Sequence, residues 1–312
     1  MRIIYITLVS FIAAGTMFCG CGSRTNTSAT EQTAAVSDSL PVDVTDIVKA
    51  VATDDSVSFS SRVNYPLERP YPLRDIADEK EMKAYYPVLV DDSLKKVLAN
   101  SAPAEWSESG WKGWTVRDGQ YLWIDGDIYE VDYISAKEKT MKDSLVRKEK
   151  ESLPPNLRSG WLPEWVMEDV AEGTVYRIDA DSVSASSDRE IVEGGPYRLA
   201  VYKKGSDLRR NPERILRGMR RMEGSAGTVS YYFSETPITA STDSVEYTIE
   251  LYSAETGGPR LYHRSKRKEM AKRPVKRSEK VSYVPDTVTD HELRKVYWLD
   301  KVDPAHRDTL KN

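Results

Sequence analysis

The stretch that decides the fold runs from Trp106 to Ser135: WSESGWKGWTVRDGQYLWIDGDIYEVDYIS. It holds two turn dipeptides, Asp118-Gly119 and Asp125-Gly126. Tight hairpins want positive φ at their central positions, and these residues tolerate it best. Strands are therefore expected at 111–117, 120–124 and 127–134. The third alternates, with Ile128, Glu130, Asp132 and Ile134 on one face and Tyr129, Val131 and Tyr133 on the other. Such a meander needs a packed face to be stable, and the residues before it supply helices for that purpose.

Upstream, IADEKEMKAYYPVLVDDSLKKVLANS reads as two short helices broken at Pro87, with Asp91 or Asp92 capping the second. Met82, Tyr85, Tyr86, Val88, Leu89, Leu94, Val97 and Leu98 recur at helical spacing and should face a core. Before them, Pro66, Pro70 and Pro72 favour extended edges. Residues 57–135 thus read as a small α+β domain. Trp106, Trp111, Trp114 and Trp123 are candidate ligand contacts, because indole faces stack on sugar rings, and equally candidates for the core and rim of a sheet poor in Phe. This helix-plus-hairpin pattern resembles a module of uncharacterised bacterial exported proteins; the resemblance covers about seventy residues and implies no activity.

Downstream, residues 136–159 carry mixed charge and end at Pro154-Pro155, as expected of a solvated connector helix. Residues 160–263 then read as a β-rich sandwich or barrel-like domain. Tyr197, Leu199 and Val201 alternate with Arg198, Ala200 and Tyr202, and Tyr247, Ile249 and Leu251 alternate with Glu246, Thr248, Glu250 and Tyr252. Trp161 and Trp165 flank Pro163 and join the candidate ligand-contact aromatics. Asp207 to Arg221 reads as an Arg-rich insert with a stripe of Ile215, Leu216 and Met219. Residues 264–312 form a basic tail whose first seventeen residues hold nine Lys or Arg; a strand and a helix that docks back are expected after them. The fold class is α+β.

The first 23 residues, MRIIYITLVSFIAAGTMFCGCGS, place a basic residue before an apolar run too short to span a bilayer. Gly20 and Gly22 flank Cys21, which resembles the lipobox of bacterial lipoproteins, with Phe18 where Leu is usual. The resemblance implies a signal peptide and lipid anchor over 1–21, with Cys21 lipidated (palmitate-type acylation) and attached to a membrane. Residues 22–56, rich in Ser, Thr, Ala and Asp, are expected to be a disordered tether, with two amphipathic turns at 44–51.

Composition excludes some functions. A net charge of −4 argues against a general nucleic-acid binder. Only three histidines occur, His263, His291 and His306, with no metal-ligand spacing between them, so neither a metal nor a cofactor is expected. The sequence lacks a serine nucleophile elbow, a phosphate loop and a dinucleotide fingerprint. Gly224-Ser225-Ala226-Gly227 reads as a turn, and Asp91/Asp92 and Asp125/Asp127 sit where caps and turns want Asp, so no catalytic residue is assigned. The expectation is a non-enzymatic lipoprotein of the outer membrane, facing the periplasm, that binds an envelope glycan or protein partner. A carboxylate-dependent glycan hydrolase and an enzyme inhibitor are the alternatives.

Overall fold

The computed structural model describes residues 40–182, 196–223, 228–235, 245–251, 258–265 and 287–303. These described residues belong to one compact body. It is an α+β body in which a helical region with a small sheet precedes a closed eight-stranded barrel.

The first module opens with helix α1 (Val42–Ala52), which buries Val44, Ile47, Ala50 and Val51 on one stripe. Helix α2 (Ser56–Ser60) follows, capped by Asp55, which accepts from the amides of Val57 and Ser58. The amphipathic turns expected at 44–51 are thus present and extend to 42–52, packing into the core beside Leu94 and Leu98, while residues 22–39 of the expected tether lie outside the described residues. The Asp, Thr and Lys residues of 42–52 dilute a short apolar stripe without breaking its period. Helix α3 (Glu79–Leu89) starts at an Asp78 cap, with Glu81 reaching back to the Ala77 amide. Pro87 does not break it, a second correction: the proline lies inside the helix two residues before its end. Asp91 caps α4 (Asp92–Ala99) through the amides of Ser93 and Leu94.

The sheet is a four-stranded antiparallel meander of β1 (Trp106–Glu108), β2 (Trp114–Val116), β3 (Trp123–Asp125) and β4 (Asp127–Glu130). The strands are shorter than expected, and β1 was not anticipated. The Asp118-Gly119 turn has Arg117, Asp118 and Gly119 all at positive φ. A Cβ at Gly119 would strike the Trp123 ring at 2.5 Å, so the turn and the indole need each other.

Helix α5 (Ala136–Ser152) links the modules and α6 (Pro155–Arg158) ends the link. The barrel then runs as β5 (Trp161–Asp169), β6 (Val175–Asp181), β7 (Tyr197–Tyr202), β8 (Arg214–Glu223), β9 (Thr228–Ser234), β10 (Tyr247–Glu250), β11 (Arg260–Ser265) and β12 (Thr287–Lys295), before α7 (Trp298–Val302). Each strand pairs antiparallel with the next, and β12 closes on β5 with Leu293 opposite Asp169. The Arg-rich stretch is thus a strand, β8, rather than an insert, and the barrel extends beyond residue 263 to take its last strand from the expected tail. At Gly218 a side chain would come within 2.0 Å of the Tyr232 carbonyl, so β8 passes β9 there only as glycine.

Ile178, Leu199, Leu216, Phe233, Ile249 and Leu261 fill the barrel interior. The outer faces of β5, β6 and β7 are covered as well: Val166, Val175, Ala200 and Tyr202 pack with Tyr71, Leu153, Leu157 and Trp298. This is why β6 and β7 are buried on both faces, unlike a half-solvated antiparallel strand. Among the described residues, no helix is long and apolar enough to cross a membrane.

Candidate functional site

Cys21 and the Gly224–Gly227 turn lie outside the described residues. Of the candidate aromatics, Trp106 is buried in the first core and donates its indole N–H to Ser101 Oγ at 2.9 Å. Trp114 packs half-buried against the same core. Trp123 donates to Asp132 Oδ2 at 3.1 Å and carries Lys112 over its ring. Trp111 lies in the one-turn 3-10 helix Gly110–Lys112. In the barrel, Arg198 covers Trp161 and Lys295 covers Trp165, which also packs on the barrel core. Among the described side chains, Trp106, Trp114, Trp123, Trp161 and Trp165 do not line a common cleft. Asp91 is a cap, and Asp125 and Asp127 face each other across the β3–β4 turn.

The principal cleft, about 660 Å³, lies where the first module, α5 and the α7 segment meet. That volume falls in the range of small-molecule sites, roughly 300–1,000 Å³. Leu73, Ile76, Tyr85, Met141, Leu145 and Leu299 give it a mainly apolar wall. Its carboxylates are all engaged. Asp75 pairs with Lys295 at 2.6 Å and Asp300 with Arg74. Glu81 accepts from the Ala77 amide, and Glu149 accepts from Tyr71 and Arg177. Among the described residues, Lys148 is the one charged lining side chain left without a partner. Burial pushes the Tyr85 and Tyr297 hydroxyls well above the usual phenol range, so both stay protonated donors.

Buried ion pairs fix the walls of this cleft. Glu138 and Glu149 lie eleven residues apart on α5, close to three turns, and so share a face. Arg69 grips Glu138 with two bonds of 2.9 Å, both side chains at 0% exposure. Arg177 donates to Glu149 at 2.9 Å and to Asp179 at 2.9 Å, while Arg198 reaches the other Asp179 oxygen at 2.8 Å. Trp298, fully buried, lies under Arg177 and donates its indole N–H to Ser152.

A second cluster sits at the mouth of the barrel where β5 turns into β6. Asp169 is buried; its Oδ1 accepts from the amides of Ala171 and Glu172 at 2.8 Å. Its Oδ2 lies 2.7 Å from His291 Nδ1, yet the contact lacks hydrogen-bond alignment, and Oδ2 is otherwise without a partner. Asp169, Glu172 and His291 each place a ligand atom within 4.8 Å of the others. His263, stacked on Tyr247 at 4.4 Å, belongs to the same mouth. Leu261 pairs with His291 and His263 with Thr289, which puts the histidines one diagonal step apart on neighbouring strands, about 7–8 Å. Burial lowers the His263 pKa, and the charges of Arg214 and His291 lower it further, against Glu246. At the opposite mouth, Tyr231 donates to Glu164 at 3.2 Å, and burial holds the Lys142 ammonium below its usual range near that carboxylate.

The expectation that no two histidines stand at a metal-ligand spacing rested on distance along the chain. Twenty-eight residues separate His263 from His291, and the β11–β12 register alone brings them together. The detectable signal was Leu261-x-His263 and His291-x-Leu293, each alternating inward on a strand. No family model matches the chain, and neither a curated protein nor a solved structure is found to be similar to it.

Proposed function

We propose that the chain is a non-enzymatic lipoprotein of the bacterial outer membrane, anchored through Cys21 and facing the periplasm, that binds an envelope ligand in the junction cleft. The observation that carries this reading is the cleft's charge balance. Its wall is mainly apolar, every acid in it is engaged, and Lys148 is a free cation at its edge. Such a wall suits an amphiphile with an apolar body and an anionic group. The buried ion pairs keep the walls in place, which lowers the ordering cost of binding.

Laurate, with decyl maltoside as the uncharged comparison, tests the cleft by titration calorimetry. Laurate should bind, and Lys148→Glu should weaken it about tenfold, a loss of one charge-assisted contact. Leu145→Asp should abolish binding. Laurate binding that ignores both substitutions, or no binding at all, rejects the cleft as the site. Independently, Cys21→Ser should move the protein from the membrane to the soluble fraction. The hydrolase alternative drew on a tryptophan-lined cleft with paired carboxylates, and among the described residues no tryptophan lines this cleft.

A further inference from the structure

We propose that the barrel mouth at the β5–β6 turn is a binding site for a divalent transition-metal ion of the zinc class. Its ligands are Asp169 Oδ2, the Glu172 carboxylate and His291 Nδ1. The site shares no residue with the cleft and stands apart from the ligand-binding reading.

Three observations converge. The first is the orphaned oxygen. Asp169 is buried, its Oδ1 is used by two turn amides, and Oδ2 has no hydrogen-bond partner. A buried carboxylate oxygen left in that state is costly unless a cation meets it.

The second is the orientation of the imidazole. Thr289 donates its hydroxyl proton to the His263 carbonyl at 3.4 Å and so receives from His291 Nε2–H at 3.1 Å. That chain places a proton on Nε2, so in the neutral ring the Nδ1 lone pair faces Asp169 Oδ2 at 2.7 Å. Two lone pairs that close repel, and an ion bound by both atoms removes the repulsion. With metal–ligand bonds of about 2.0–2.2 Å, tetrahedral neighbours stand roughly 3.3–3.6 Å apart, so the two atoms separate by somewhat more than half an ångström to seat the ion. A metal-bound histidine also characteristically donates its other N–H to a fixed acceptor, the part played by Thr289.

The third is access. Glu172 is exposed at the tip of the turn, with its ligand oxygen within 4.8 Å of the other two ligand atoms. It closes the set from the solvent side. One imidazole nitrogen with two carboxylate oxygens favours zinc-like ions over magnesium, which prefers an all-oxygen shell. Three protein ligands leave a further position open to water or to a ligand entering the mouth.

The test uses the full chain in detergent, stripped with a chelator and dialysed against zinc, with metal content read by elemental mass spectrometry. About one zinc per chain should be retained, with magnesium failing to displace it. Glu172→Gln, on an exposed side chain that folding does not need, should weaken zinc binding by tenfold or more, and His291→Ala by more still. Thr289→Val should weaken it roughly 10–100-fold, as loss of an outer partner does. Cobalt should give a visible absorption band that His291→Ala abolishes. His306→Asn should change nothing. The proposal is overturned if the wild-type chain retains no zinc, if Glu172→Gln and His291→Ala bind it as well as wild type does, or if His306→Asn removes it.

Discussion

At its first turn α5 buries Glu138 against Arg69; three turns later it buries Glu149 against Arg177. The first pair is closed within its own module. Arg69 spends its donors on both Glu138 oxygens and on the carbonyls of Val131 and Tyr133, and Tyr85 adds a bond to the same carboxylate. The second pair is shared between modules. Glu149 takes Tyr71 from the first module and Arg177 from the barrel, Arg177 divides itself between Glu149 and Asp179, one of its terminal nitrogens has no hydrogen-bond partner, and its guanidinium sits over the Trp298 ring. One end of the helix is therefore a saturated lock and the other a distributed joint. When Glu138 is removed Arg69 keeps only neutral carbonyl acceptors, whereas Arg177 without Glu149 keeps a second carboxylate.

The sharpest way to break this comparison is Glu138→Ala. It strands the Arg69 guanidinium at 0% exposure, and loss of one member of a buried pair costs about 3–5 kcal/mol. Urea unfolding measures it, and a loss below about 1 kcal/mol would mean that water rescues Arg69 and that the lock is not saturated. Glu149→Ala should cost less, about 1–3 kcal/mol, because Arg177 keeps Asp179; a cost equal to that of Glu138→Ala would erase the distinction. The smallest effect is in acid. Asp91, which accepts from Tyr133 and from the first amide of α5, is pushed up by burial but held below its usual pKa by these bonds and by the amides of Leu94 and Ser93. Its stabilisation is present above the unfolded value, about 3.9, and disappears as pH falls through the lower folded value. Burial pushes Glu149 the other way, above its usual range despite Arg177 and Tyr71. Its contribution is therefore greatest below about 4.3 and is lost as pH rises through the folded value. In stability curves taken from pH 6 down to pH 2, Asp91→Asn should remove part of the acid loss and Glu149→Gln should steepen it.

The legible parts of the sequence were those where neighbours in the chain decide the structure. The Asp-Gly dipeptides announced the hairpins, and the alternation of Tyr197–Tyr202 and Tyr247–Leu251 announced barrel strands. Strand β8 hid because its alternation is inverted: Ile215 is 46% exposed on the outer face, while Arg214 and Arg220 turn to the two mouths. Helix α5 hid its function because hydropathy cannot distinguish a buried Glu from a solvated one; the eleven-residue spacing of Glu138 and Glu149 was the available clue. Of the two candidate sites, the cleft draws on three separated segments and the barrel mouth on a strand register, neither of which local pattern can supply. Trp298 read as part of a docking helix, yet nothing nearby in sequence marks it as the fully buried residue beneath Arg177.

The closure of β12 on β5 has a consequence for the order in which the molecule assembles. Leu293 meets Asp169 across 124 residues of chain, so the seam of the barrel joins its first strand to its last. Contacts of such high sequence separation form late and make folding slow. Until Thr287–Lys295 arrives, β5 and β11 stand as open edges, the kind of surface that recruits other chains. A nascent or truncated chain ending before β12 would carry seven strands and no closed sheet. The final segment is thus what separates a self-contained molecule from an aggregation-prone one.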